Sequence, residues 1–216
     1  MRVLVTGAKG QLGHDVVNEL EKRGITGIGV DIDEMDITDP AACRRVITDA
    51  EVDAVIHCAA YTAVDAAEDN AELCNKINGE GTANIADVCR DLDIKMMYIS
   101  TDYVFNGQGV RPWEPDDERE PLNAYGMSKY LGELAVEERL TKYFIVRIAW
   151  VFGVNGKNFI KTMLRLGAED GAEGASRQHH SDARCGSKRI RTDRLRYRGR
   201  SGDQAGKPVS VGGMEL

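Results

Sequence analysis

The 216-residue chain contains no apolar run approaching the roughly 20 residues that span a bilayer, so no segment reads as a transmembrane helix. It has no C-x-x-C pair, and its five cysteines, at 43, 58, 74, 89 and 185, are odd in number. That pattern fits free thiols in a reducing compartment better than a disulfide frame. Positive charge is also in deficit: 28 Lys and Arg stand against 35 Asp and Glu, a net charge of −7, whereas a general nucleic-acid binder presents a basic face. No leader precedes the first apolar stretch, Met1-Arg2-Val3-Leu4-Val5-Thr6, so the expectation is a cytoplasmic protein that engages neither membrane nor nucleic acid. What is present is core-forming material. Hydrophobic residues make up 42%, enough for one α/β domain, or for a domain plus part of a second.

Short apolar runs alternate with helical patterns, the mark of a doubly wound parallel sheet in an α/β fold. Strands are expected at 2–6, 27–31, 54–58, 96–100 and 144–149, and helices at 12–23, 40–50, 71–91, 125–140 and 157–166, the last stopping at Gly167. Asp39-Pro40 supplies an N-cap and a first-turn proline for the second helix. Residues 107–121, with two Gly, three Pro and five acidic side chains, read as a loop over the sheet's edge.

After Gly167 the character changes. Residues 168–216 hold eight Arg and eight Gly and lack periodicity; ten basic and seven acidic residues give them a net +3, against −10 for 1–167. One reading is a basic disordered tail that touches RNA or a membrane. The favoured reading is a shift of reading frame near codon 167, which in a G+C-rich gene yields Arg, Gly, Ser and Ala and few core residues. The chain therefore divides into a dinucleotide-binding unit, 1–167, and an atypical tail, 168–216. His179, His180 and Cys185 offer no obvious fourth ligand, and no metal site is expected.

Thr6-Gly7-Ala8-Lys9-Gly10-Gln11-Leu12-Gly13 follows the first strand and opens a helix. Glycine there lets the backbone turn tightly and approach a pyrophosphate, and the helix start at Gln11 and Leu12 directs free N–H groups at the phosphates. Alone, the pattern also fits an ordinary tight turn. Asp31, at the end of the second strand, supplies the carboxylate that receives ribose hydroxyls, and decides for the dinucleotide site. That carboxylate favours NADH by repelling a 2′-phosphate, while Lys9 in the glycine loop can offset the repulsion, so NADPH stays open. Asp36 reads either as a contact to the adenine amine or as a solvated loop acid.

Tyr125 and Lys129, in Tyr125-Gly126-Met127-Ser128-Lys129, lie at i and i+4 on one helix face. An ammonium beside a phenol is expected to lower the phenol's pKa, and the phenol can donate a proton to a carbonyl as hydride arrives at carbon. Ser100-Thr101-Asp102 closes a strand on the carboxyl side of the sheet, where ligands bind in such folds. A hydroxyl there can polarise a carbonyl, or simply cap the following turn.

These elements resemble the extended short-chain dehydrogenase/reductases. Longer strings, Ala59-Ala60-Tyr61-Thr62-Ala63-Val64-Asp65, Ser100-Thr101-Asp102-Tyr103-Val104-Phe105 and Arg147-Ile148-Ala149-Trp150-Val151-Phe152-Gly153, are similar to the dTDP-4-dehydrorhamnose reductases over residues 1–167. The resemblance implies a Rossmann fold and NAD(P)H-dependent reduction of the 4-keto group of dTDP-4-dehydro-β-L-rhamnose, or of a neighbouring 4-keto-6-deoxy sugar nucleotide. It implies Tyr125 as acid, Lys129 as its tuner and ribose contact, and Thr101 as polarising donor with Asp102 beside it. Ala59, Ala60 and Thr62 would line the cofactor channel, with Val64, Asp65, Phe105 and Trp150 at the sugar nucleotide. For Trp150, core packing is an equal alternative, and for Cys58 a small buried residue is the expectation rather than a redox role. The resemblance is compatible with a homodimer. The family continues beyond residue 166 into further strands and most of a small nucleotide-gripping domain, which 168–216 do not resemble. Two other readings therefore stand beside the reductase: a non-catalytic cofactor-binding subunit resembling the regulatory subunit of methionine adenosyltransferase, and an inactive truncated product.

Overall fold

The computed structural model describes residues 1–169; nearly all of the basic tail, with His179, His180 and Cys185, lies outside the described residues. Five strands form one sheet: β1 (Arg2–Thr6), β2 (Thr26–Val30), β3 (Ala54–His57), β4 (Lys95–Thr101) and β5 (Tyr143–Ile148). Every pairing is parallel, and the order is β2-β1-β3-β4-β5. The pleat sends alternate side chains to opposite faces. Leu4, Val55, Met96 and Tyr98 join the larger core with Ile47, Ile85, Cys89 and Val136. Val3, Val5 and Ala54 face the other way, onto Val16, Val17 and Leu20. Burial on both faces explains why β1 reads as a continuous apolar run rather than an alternating one.

On the first face lie α2 (Pro40–Asp49), α5 (Gly81–Asp91) and α6 (Ala124–Arg139); α1 (Gln11–Lys22) covers the second. The expected cap of α2 is present: the Asp39 carboxylate accepts from the Ala41 N–H at 2.9 Å, with Pro40 in the first turn. A six-residue helix, α3 (Val64–Asp69), was not anticipated, because six residues are too few to show a 3.6-residue period. The helix expected at 71–91 is instead α4 (Ala71–Asn75), a π-helical turn (Lys76–Glu80) and α5. The last helix, α7 (Phe159–Glu169), begins two residues later than expected and continues through Gly167 rather than stopping there. Glycine terminates a helix when it takes a left-handed conformation, and Gly167 is not among the positive-φ residues. Among the described residues no helix is long and apolar enough to cross a membrane.

Candidate active site

Sheet order reverses beside β1, whose neighbours β2 and β3 lie on opposite sides, and the carboxyl ends of β1 and β3 open a crevice of the kind that binds ligands in such sheets. A cleft of about 900 Å³ lies there. Its floor is the glycine turn. Gly7 has φ +67°, and a Cβ on it would stand 2.8 Å from the Ala59 nitrogen, so the turn and the β3 end touch backbone to backbone. A Cβ on Gly13 would collide with the Gly7 carbonyl oxygen, so α1 can approach its own turn only with glycine there. The N-cap of α1 is Gly10, which offers no side-chain acceptor to the first-turn N–H groups, and Gln11, Leu12 and Gly13 line the cleft. A helix start left open in this way is a ready anion site.

At the far end of the turn Asp31 Oδ2 accepts from the Lys9 N–H at 2.9 Å, and Oδ1 accepts from the Ile32 N–H at 2.9 Å. Two amides leave lone pairs on the carboxylate for two hydroxyls. The Lys9 ammonium does not lie on Asp31: it pairs with Asp33 at 2.6 Å and Glu34 at 3.5 Å. Asp36 lines the cleft, and its Oδ1 accepts from both the N–H and the hydroxyl of Thr38, which hold its carboxyl below the usual range.

The opposite wall runs through Ala59, Ala60, Tyr61, Thr62 and Val64. The buried Asn78, on the π-helical turn, fixes that wall: its Oδ1 accepts from the Tyr61 N–H at 2.8 Å and its Nδ2 donates to the Tyr61 carbonyl at 3.0 Å. The same Nδ2 lies 2.9 Å from Ser128 Oγ, one residue before Lys129. No local spacing signals this clamp, because its partners are 17 and 50 residues apart in sequence.

Thr101, Asp102, Tyr125 and Lys129 all reach the same cleft, Thr101 from the end of β4 and the Tyr/Lys pair from α6. Asn123 caps α6 by accepting from the Gly126 N–H at 2.7 Å, which places Tyr125 in the first turn. Thr101 Oγ1 accepts from the Tyr103 N–H at 3.2 Å, so it caps the short 3-10 turn Asp102–Val104 and lines the cleft at once. Its hydroxyl donates to Asp102 Oδ1 at 3.1 Å. Tyr103, unassigned from sequence, stands edge-on to the Tyr125 ring at 5.7 Å and also lines the cleft.

The expected lowering of the Tyr125 pKa is not found. Burial pushes the phenol up to about 12, the Thr101 hydroxyl opposes this, and the Asp102 carboxylate adds to it. Lys129 is 3% exposed, and its ammonium sits 4.2 Å from the centre of the Tyr98 ring. Burial brings it down to about 7, against the pull of Glu133. Desolvation thus outweighs pairing at both groups. Cys58 lines the cleft as a protonated thiol, which burial pushes up to about 12.

Trp150 is 70% exposed at the cleft with φ +55°, which rules out core packing. An aromatic residue in the left-handed region is strained, and such strain gathers at ligand sites. Two expected substrate residues lie outside the cleft lining. Asp65 is exposed in the first turn of α3. Phe105 is buried, stacked on Trp113 at 4.7 Å and covered by the Arg147 guanidinium at 4.9 Å. That guanidinium belongs to an ion cluster centred on the fully buried Glu133, which takes Arg147 at 2.7 Å and Arg119 at 2.9 Å. Among the described residues no group of three or more His, Cys, Asp or Glu is placed to hold a metal ion.

The model of one protein family, described as RmlD substrate binding domain, matches residues 1–173. The dTDP-4-dehydrorhamnose reductase of Streptomyces griseus is 42% identical over 170 residues, 78% of this chain and 56% of that protein. A dTDP-4-dehydrorhamnose reductase from Bacillus anthracis, solved in complex with NADP, is 43% identical with a TM-score of 0.76, over 78% of this chain and 60% of that one. The corresponding Clostridium acetobutylicum structure is 40% identical, also with a TM-score of 0.76. The chain spans little more than half the length of the curated relatives it matches.

Proposed function

Because the chain belongs to the RmlD substrate binding domain family, we propose that residues 1–167 form a dinucleotide-binding unit whose cleft reduces the 4-keto group of a dTDP-4-dehydro sugar nucleotide, dTDP-4-dehydro-β-L-rhamnose foremost. The observation that carries this reading is the convergence of Thr101, Tyr125 and Lys129 on the cleft floored by the glycine turn. The names of the relatives, and the NADP bound to the Bacillus anthracis protein, support it.

The residues fit a nicotinamide dinucleotide. Space that a Cβ would fill at Gly7 and Gly13, together with the uncapped start of α1, suits a pyrophosphate. Asp31 suits the adenosine ribose and opposes a 2′-phosphate, while Lys9, held only by exposed pairs to Asp33 and Glu34, is placed to offset that repulsion, so the site suits NADH and admits NADPH. When bound, the reduced cofactor supplies the hydride for the carbonyl carbon. Tyr125 supplies the proton: a phenol whose pKa is about 12 is fully protonated near neutrality and can donate to the oxygen that gains charge. Thr101, on the same wall, becomes a second donor once its hydroxyl proton turns from Asp102 to the substrate oxygen. Lys129, one helical turn from Tyr125 on α6, keeps a positive charge while the pH stays below its own value of about 7, which favours a developing phenolate in the same cleft. Val64 and Trp150 border the sugar nucleotide.

Oxidation of NADH, followed by its absorbance with dTDP-4-dehydrorhamnose as acceptor, tests the reading. Turnover by the 216-residue chain that Tyr125→Phe reduces at least a hundredfold supports it. Turnover equal in the two proteins contradicts it.

A further inference from the structure

Beneath the cleft, at the carboxyl ends of β1 and β3, Thr6 and His57 are each 1% exposed, and neither takes part in the chemistry above. Thr6 Oγ1 accepts from the Cys58 N–H and from the Ala59 N–H, each at 3.1 Å. Both lone pairs of the hydroxyl are then occupied, so its one proton goes to His57 Nδ1, 2.7 Å away. An Nδ1 that accepts requires the hydrogen of a neutral imidazole to sit on Nε2, which faces Thr82 Oγ1 at 3.1 Å. The Thr82 hydroxyl in turn donates to the Asn78 carbonyl at 2.6 Å. Each donor in this chain leaves its neighbour a single role.

We propose that Thr6 and His57 are positioning residues: a fixed hydrogen-bond relay, with His57 held as the Nε2–H tautomer, sets the Cys58–Ala59 backbone against the glycine turn and ties it to the π-helical turn at Asn78. The Ala59 nitrogen is the atom Gly7 packs against, so a small displacement here moves the cofactor floor. Through Asn78 the relay also reaches Tyr61 and Ser128, and so both walls of the cleft. A protonated imidazole has no place in it, since an Nδ1–H would meet the Thr6 proton. Burial and the nearby Lys129 charge act the same way, bringing the imidazole pKa down to about 3. The consequence for the cofactor rests on the dinucleotide reading; the tautomer does not.

The test combines nitrogen NMR of the 15N-labelled 216-residue chain with NADH titration of Thr6→Val and Thr6→Ser. The expected spectrum shows His57 with bare Nδ1 and protonated Nε2, unchanged from pH 5 to 8. An Nδ1–H tautomer, or an imidazolium forming above pH 5, overturns the relay, and this measurement needs no variant to fold. Thr6→Val strands two buried amides and should weaken NADH binding about tenfold, while Thr6→Ser, which keeps the hydroxyl, should stay within about twofold. NADH affinity unchanged in Thr6→Val overturns the positioning role. If the parent chain binds no NADH, the reductase reading fails separately. Amide exchange then decides the relay: faster exchange at Cys58 and Ala59 in Thr6→Val supports it, and unaltered exchange overturns it.

Discussion

Replacing Lys129 with Met should make the protein more stable while removing its chemistry. Lys129 is 3% exposed, and burial brings its pKa from an ordinary 10.5 to about 7. Each pKa unit corresponds to about 1.4 kcal/mol between folded and unfolded states, so at pH 7 the buried lysine costs about 4 kcal/mol. Between pH 7 and 10.5 the unfolded chain holds a proton that the folded chain has shed. Stability of the parent therefore rises with pH across that window, and the penalty is present in full below it. Methionine matches the aliphatic stem and carries no charge, so Lys129→Met escapes the penalty at every pH. Urea denaturation of both proteins at pH 7, 8.5 and 10 reads the difference. The variant should lead by about 3–4 kcal/mol at pH 7, and the lead should shrink by about 1.4 kcal/mol per pH unit. A lead that does not shrink, or a variant less stable than its parent at pH 7, refutes the assignment of Lys129 as a desolvated ammonium. The gain would be an instance of stability given up at a functional site.

The same lysine predicts a pH–rate profile: if the charge on Lys129 is required, kcat/KM for keto-sugar reduction falls above about pH 7, and a flat profile from pH 6 to 9 contradicts this. Asp31→Asn removes the carboxylate that opposes a 2′-phosphate, so the ratio of NADPH to NADH affinity should rise by about tenfold, read by parallel titrations. Glu133→Gln leaves Arg119 and Arg147 beside a neutral, buried group and should cost about 3–5 kcal/mol in urea denaturation at pH 7. Burial acts to raise the Glu133 pKa, but Arg147 and Arg119 outweigh it and hold it low. The stability that Glu133 contributes is therefore present above the ordinary carboxylate range and disappears as pH falls through the lowered folded value, so the cost of Glu133→Gln should diminish in acid.

Features carried by short-range pattern were legible before any coordinates. The glycine spacing at Gly7, Gly10 and Gly13 and the i, i+4 pair Tyr125 and Lys129 each sit within one turn or one helix, and their backbone geometry follows from residue type. All five strands were legible too: burial on both faces turns the central β1 and β3 into apolar runs, and the half-buried edge strands β2 and β5 still show short runs between helical stretches. What stayed hidden depends on contacts across the fold. The direction of the Tyr125 pKa turns on how deeply α6 sits in the protein, which spacing along one helix does not reveal. Lys9 pairs with Asp33 and Glu34, 24 and 25 residues away, which the glycine spacing around it does not signal. Phe105 is outside the cleft lining and its ring is taken up by Trp113, from the loop, and Arg147, from β5. The break of one expected helix at Lys76–Glu80 holds the dipeptide Asn78-Gly79, a turn signal that the apolar periodicity of 71–91 outweighed, and it carries Asn78 to the Tyr61 backbone.

The central claim is that the glycine-floored cleft holds a nicotinamide dinucleotide. It is tested most directly by titrating NADH into the 216-residue chain and into Gly13→Val, following energy transfer from tryptophan, since Trp150 lines the cleft. A side chain at position 13 collides with the Gly7 carbonyl and must push α1 away from its turn. Saturable binding of one NADH per chain, lost in Gly13→Val, is the expected result. Equal responses from the two proteins, or none from the parent, would contradict it.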